Sequence, residues 1–208
     1  MKKVSIIDFD GGNLFSVIQA CKHVGIEASV TNDFNEIKAS DGLILPGVGS
    51  FPQAMKILNS KKLVTPIKDF IKSNKPFMGI CLCFQLLFSK SSEFENCDGL
   101  DIIKGTVNKF NFNNKKCKVP QIGWNKIYSE SNWLDSPLNK IVNDEYMYFV
   151  HSYFVDPLNK NEVLSYTKYE DFEYCSSIRK NNIFATQFHP EKSGLEGLKI
   201  YKEWSELL

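Results

Sequence analysis

Pro76-Phe77-Met78-Gly79-Ile80-Cys81-Leu82-Cys83-Phe84-Gln85 is the stretch on which the fold turns. Pro76 to Ile80 is a short apolar run that reads as a buried strand, and Leu82 to Ser89 starts a helix, so Cys81 stands at the turn between them. Upstream the same strand–helix unit repeats. Val4 to Phe9 is a strand, Gly11-Gly12-Asn13 a turn, and Leu14 to Val24 has the 3.6-residue apolar rhythm of a helix that ends at Gly25. Ile26 to Thr31 and Gly42 to Leu45 read as further strands, the latter stopping at Pro46-Gly47-Val48-Gly49. Phe51 to Asn74 reads as helical, interrupted near Pro66. Strands this uniformly apolar, alternating with helices, imply an α/β fold: a mostly parallel sheet with helices on both faces. Downstream the pattern changes. Gly99 to Tyr128 and Glu145 to Phe188 read as strands in succession, with a hairpin at Asn181-Asn182 and a closing helix from Gly194 to Leu207. The expectation is one domain over residues 1–208, a parallel core with antiparallel β extensions.

Composition narrows the classes. The chain has 208 residues, 43% of them hydrophobic, enough for a core that needs no disulfide or metal staple. Lys+Arg (25) and Asp+Glu (24) nearly cancel, and the densest basic run, Lys115-Lys116-Cys117-Lys118, is short and set among asparagines. It reads as a solvated loop, so no nucleic-acid partner is expected. No apolar stretch approaches the roughly 18 residues of a membrane span, and the N-terminus lacks the form of a signal peptide. The six cysteines (21, 81, 83, 97, 117 and 175) show no paired CxxC metal spacing. Free thiols in a cytoplasmic setting are expected, with no metal and no cofactor.

Gly79-Ile80-Cys81-Leu82-Cys83 sits where a nucleophile elbow would: a tight strand-to-helix turn lifts one side chain above the strand ends, and small residues relieve the crowding. A thiol at a helix N-terminus feels the unpaired N–H groups, which favour the thiolate. Taken alone, Cys81 could equally be a small buried hydrophobe. Thr186-Gln187-Phe188-His189-Pro190-Glu191 decides between them. It follows an apolar strand, whose end belongs on the same rim of an α/β sheet. His189 can act as base for Cys81, and Glu191, two residues on, can orient the imidazole, which is the logic of a Cys-His-acid triad. His23 and His151 read as structural.

Gly-Ile-Cys-Leu-x-x-Gln (79–85) with Thr-Gln-Phe-His-Pro-Glu (186–191) resembles the class I, or triad, glutamine amidotransferases. Leu45-Pro46-Gly47-Val48-Gly49, Gly123-Trp124-Asn125, Tyr148 to Tyr153 and Lys192-Ser193-Gly194 extend the likeness end to end to one branch, the glutaminase subunits of imidazole glycerol phosphate synthase. The resemblance implies a flavodoxin-like open sheet and no cofactor. It implies that Cys81 attacks the glutamine carboxamide, forming a γ-glutamyl thioester and releasing ammonia, while His189 moves protons and Glu191 orients it. It implies that Gln85, Glu93, Ser152 and Tyr153 hold the substrate, and that Gly47, Val48 and Gly49 with the Leu82 N–H form the oxyanion hole. The partner implied is a (β/α)₈-barrel cyclase subunit in a heterodimer, to which ammonia passes for histidine synthesis. A paralogous glutaminase serving another synthase, such as one amidating surface sugars, or a catalytically silent regulatory subunit are the alternatives. Two departures stand out: Cys83 where the family has a second elbow glycine, and Gln121 where it has His, on the side expected to face the partner.

Overall fold

The computed structural model describes residues 2–112 and 118–208; Lys115, Lys116 and Cys117 of the basic run lie outside the described residues. Four strand–helix units open the chain: β1 (Lys3–Ile7) and α1 (Leu14–His23), β2 (Glu27–Thr31) and α2 (Phe34–Ala39), β3 (Gly42–Gly47) followed by α3 (Phe51–Ser60) and α4 (Val64–Lys72), and β4 (Phe77–Cys81) with the short α5 (Leu82–Leu86). Then come β5 (Phe88–Ser91), β6 (Cys97–Asp98), β7 (Ile103–Lys109), β8 (Gln121–Ile127), β9 (Glu145–His151), β10 (Tyr153–Pro157), β11 (Val163–Tyr169), β12 (Phe172–Lys180), β13 (Ile183–Thr186) and α6 (Gly194–Ser205).

The main sheet runs β2-β1-β3-β4-β13-β12-β10-β7-β5-β6, with β11 on β12. From β2 to β13 every neighbour is parallel, and the order 2-1-3-4 followed by the last strand is the flavodoxin-like arrangement. Beyond β13 the pairing is antiparallel through β12, β10 and β7. β8 and β9 form a separate two-stranded sheet.

Strand residues alternate between two cores, as a sheet covered on both sides requires. Leu43, Leu45, Phe77 and Ala185 join α3, α4 and α5 on one face. Val4, Ile6, Ile44, Met78 and Phe184 join α1 and α6 on the other. Helix starts follow local chemistry: the Asp33 carboxylate accepts from the N–H groups of Asn35 (2.8 Å) and Glu36 (3.1 Å), and Asn13 caps α1.

Three elements differ in extent from the sequence reading. The break in the Phe51–Asn74 stretch lies at 61–63, where Lys62 has a φ of +56°, and not at Pro66. Pro66 falls in the first turn of α4, where a missing N–H costs no helical hydrogen bond. The elbow helix ends at Leu86 instead of Ser89, because Phe88–Ser91 is taken up as a strand beside β7. β3 continues through Pro46 to Gly47, paired with Ile80 and Cys81. Among the described residues no helix is long and apolar enough to cross a membrane.

Candidate active site

Cys81 ends β4 with φ +56° and ψ −110°, a conformation that costs a non-glycine residue on the order of 1–3 kcal/mol. Registry on both sides holds it there: Gly47 of β3 pairs with Cys81, and Thr186 of β13 with Ile80. The strain turns the thiol over the strand ends into a cavity of about 330 Å³, within the roughly 300–1,000 Å³ of small-molecule sites. Leu82 opens α5, so its N–H has no acceptor within that helix.

The β4–β13 registry also carries the base to the same rim. Beyond Thr186 the chain runs on to His189, whose N–H donates to the Tyr148 carbonyl of β9 at 2.9 Å. A single 3-10 turn, Pro190–Lys192, then brings Glu191 back onto the ring, with Oε1 2.7 Å from Nδ1. Both side chains are almost wholly buried. Burial works against a charged imidazole, but the charge of the neighbouring Cys81 sulfur and the Glu191 carboxylate outweigh it, raising the His189 pKa to about 10. His189 therefore holds its proton at neutral pH, with Nδ1 donating to Glu191. Nε2 is buried with no partner among the described residues, and the ring lines the cavity beside Cys81.

Cys83, two residues on, faces the other way. It is fully buried in the core shared with α3 and α4, and burial, with Cys81 adding to it, pushes its thiol well above the ordinary range. A buried neutral thiol is a poor nucleophile. Its sulfur lies under β3, where a Cβ on Gly47 would come within 2.6 Å of it, so Gly47 must be glycine and Cys83 packs directly against the loop. Gly49, at φ +105°, occupies backbone space that suits glycine.

The remaining expected residues divide. Gln85, Glu93, Ser152, Tyr153, Val48, Gly49 and Leu82 all line the cavity with Cys81 and His189; Gly47 lies beneath it. The Glu93 carboxylate accepts from the Phe51 N–H at the start of α3 (2.7 Å), and burial raises its pKa against that bond and nearby Lys109. Across the cavity, burial and Glu93 together push the Tyr153 phenol up. The Val48 N–H, an expected oxyanion donor, donates instead to the Gly11 carbonyl at 3.3 Å.

Two residues at the site, Gln187 and Val150, had no role assigned from sequence, and a third, His151, was read as structural. Gln187 is buried between Gln85 and Cys81, the Val150 carbonyl lies 3.9 Å from the sulfur, and His151 lines the cavity. Gln187 stands two positions before His189 in the same quoted motif, the one signal that could have found it. His151 fits its structural reading: Nδ1 donates to the Tyr153 carbonyl (2.8 Å), Nε2 lies 3.2 Å from the Tyr174 hydroxyl, and burial lowers its pKa to about 4. Gln121 corrects an expectation. Its side chain is buried, accepting from Tyr174 (3.0 Å) and donating to Asn125 (2.9 Å), so it does not face outward. Its neighbours do. Ile122 and Trp124 are 63% and 52% exposed, and Trp124 pairs across the strands with Tyr148, ring centroids 6.0 Å apart. Lys126 lies over Tyr146 and Lys192 over Tyr148, giving β8–β9 an aromatic and basic outer face that runs to Val150 at the cavity.

Comparison with known proteins bears on this geometry. A family model described as glutamine amidotransferase class-I matches residues 5–204. The imidazole glycerol phosphate synthase subunit HisH of Caldanaerobacter subterraneus subsp. tengcongensis is 45% identical over 206 residues, covering 99% of this chain and 98% of that one. The protein of the same description from Methanosarcina barkeri is 44% identical over 208 residues, the whole of both chains. Among solved structures, a glutamine amidotransferase superposes with a TM-score of 0.74 at 17% identity, covering 98% of this chain and 97% of that one. PurLQS from Thermotoga maritima superposes at 0.73 and 19%, covering 99% and 98%. These two bear on the fold alone.

Proposed function

The chain belongs to the class-I glutamine amidotransferase family, and on that premise we propose that it is the glutaminase subunit of an imidazole glycerol phosphate synthase, built as one amidotransferase domain over residues 1–208. It hydrolyses glutamine to glutamate and ammonia, and the ammonia passes to a cyclase partner that makes imidazole glycerol phosphate. The observation that carries the reading is the placement of Cys81, His189 and Glu191 on one rim of the sheet, the sulfur opening into a cavity that Gln85 and Glu93 also line.

Cys81 enters as thiolate and its sulfur attacks the carboxamide carbon. The oxygen of the tetrahedral intermediate is met by the Leu82 N–H and by a donor from the Val48–Gly49 loop. His189 gives the proton on Nε2 to the departing nitrogen, which leaves as ammonia, and a γ-glutamyl thioester remains. Neutral His189 then takes a proton from water, which attacks the thioester and releases glutamate. Glu191 holds the ring through Nδ1 and stabilises its charged form. Glu93, fixed by the α3 N-terminus, and the Gln85 carbonyl oxygen, whose amide N–H groups are both engaged, suit the ammonium group of the substrate, and the Ser152–Tyr153 backbone suits the carboxylate end.

The Val48 N–H bonded to Gly11 describes a loop at rest, with one oxyanion donor withheld. Removing one such donor typically costs about 10²–10³ in rate, so the chain alone is a poor glutaminase that its partner switches on by releasing the loop. The partner is a (β/α)₈-barrel cyclase in a heterodimer. It docks on the exposed β8–β9 face, next to the cavity, so that ammonia crosses inside protein and stays unprotonated. A cytoplasmic setting suits the reduced nucleophile.

Complementation of a histidine auxotroph lacking its own glutaminase subunit, by this chain co-expressed with its native cyclase, tests the assignment. Growth without added ammonia is expected. No growth, from a complex shown to form and to hydrolyse glutamine, would assign the ammonia to a different acceptor.

A further inference from the structure

A row of buried side-chain amides leads from the substrate end of the cavity to the nucleophile. The Tyr153 carbonyl accepts from Nδ1 of His151 (2.8 Å) and Nε2 of Gln85 (3.0 Å), which fills its two lone pairs with donors. That contact fixes which way round Gln85 lies, since the reverse would set two oxygens face to face. The second N–H of Gln85 then points to Oε1 of Gln187 at 2.9 Å, which fixes Gln187 in turn. Nε2 of Gln187 is left facing Sγ of Cys81 at 3.8 Å. Gln187 has no exposed surface, and its backbone N–H is anchored to the Ser176 carbonyl at 2.8 Å, so the amide has little room to turn elsewhere.

We propose that Gln187 is a positioning residue for the nucleophile: its amide N–H donates to the Cys81 sulfur, stabilising the thiolate and holding it at a set separation from Gln85. The inference rests on the reading of Cys81 as the attacking group, and it extends the machinery beyond the triad. Sulfur accepts hydrogen bonds weakly when neutral and more strongly when charged, so the donor favours the reactive form. A substrate pulling on Gln85 also pulls on the amide that touches the nucleophile, which links occupancy of the cavity to the position of the sulfur.

The titratable groups around the sulfur are His189 with Glu191 behind it, Cys83 from α5, His151 from β9, and Glu93 and Tyr153 across the cavity. The test holds all of them constant and changes the amide. Iodoacetamide is applied to the full chain over a range of pH, and alkylation of the Cys81 peptide is followed by mass spectrometry. Gln187→Met keeps the volume and removes the donor. Gln187→Leu removes the donor likewise and decides the matter should the Met variant fold poorly. The alkylation midpoint is expected to rise by about one pH unit in either variant, a roughly tenfold slower reaction per unit below the midpoint. An unmoved midpoint in a folded variant would overturn the proposal, since a merely structural role does not shift thiol ionisation. Cys81→Ser assayed alongside separates the two claims: continued glutamine hydrolysis would sink the assignment of Cys81, whereas the alkylation midpoint judges Gln187 alone.

Discussion

The parallel half of the main sheet and the antiparallel half of the molecule, meaning the strands beyond β13 with the separate β8–β9 pair, put functional residues in place by different means. In the parallel half, β3, β4 and β13 lie side by side, and simple registry sets the Pro46–Gly49 loop, Cys81 and the lead-in to His189 at one level. The antiparallel half adds no triad residue. It closes the cavity with Ser152 and Tyr153, supplies the Tyr148 carbonyl that accepts from the His189 N–H and ties it down, and turns an aromatic face outward on β8–β9. Parallel strand ends converge by construction, so reactive groups collected there need few further contacts. The antiparallel half serves them as wall, brace and contact surface.

The division can be broken first at the nucleophile. Cys81→Ser should lower glutamine turnover by at least about 10⁴-fold, while the complex still works on supplied ammonia. Loss of the ammonia-dependent reaction as well would mean that the parallel half also holds up the partner's site. A smaller effect is expected from withholding the partner: turnover of the purified chain should rise by about 10²–10³ when the cyclase is added. Full activity from the chain alone would count against a resting loop held by Gly11.

The antiparallel half carries its own signature in acid. Unfolded His151 takes a proton near pH 6.5, but the buried ring does so only near 4. Between those values the unfolded chain holds more protons, so stability rises with pH; it is fully present above about 6.5 and is lost as pH falls toward 4. At about 1.4 kcal/mol per pH unit between 6.5 and about 4, the full loss is about 3.5 kcal/mol. Urea titrations of wild type and His151→Gln at pH 7 and pH 4.5 would measure it, and an equal acid sensitivity in both proteins would remove His151 as its source. Smallest is the effect at the contact face. Trp124→Ala should weaken binding to the cyclase by about 2 kcal/mol, roughly 30-fold in Kd, with no change in the chain's own melting temperature. Titration calorimetry showing unchanged affinity would place the contact elsewhere.

The same contrast explains what the sequence disclosed. Gly42–Leu45 and Pro76–Ile80 are apolar on every residue and Val4–Phe9 on all but Ser5 and Asp8, as suits doubly covered strands, and so the parallel half and its turns could be read directly. The proposed triad could be read because Cys81 and His189 each follow such a strand. Gln187 was not, since nothing in its spacing says that its amide meets a sulfur more than a hundred positions earlier in the chain; that contact comes from registry between β4 and β13. Gln121 was set on the partner-facing side because the resemblance puts its segment there, but along a strand successive side chains alternate, and the inward position falls on Gln121. The early end of the elbow helix has a similar origin, since pairing with the distant β7 claims Phe88 to Ser91.

Cys81 and Cys83 condense the account into one choice. One is strained, ends a parallel strand and opens into the cavity; the other is sealed beneath the loop. Treating the complex with a glutamine-analogue alkylator and locating the adduct by peptide mass spectrometry tests this most directly. The account predicts one equivalent of label, on Cys81, with parallel loss of glutaminase activity and protection by glutamine. Label on Cys83, or inactivation without label on Cys81, would contradict it.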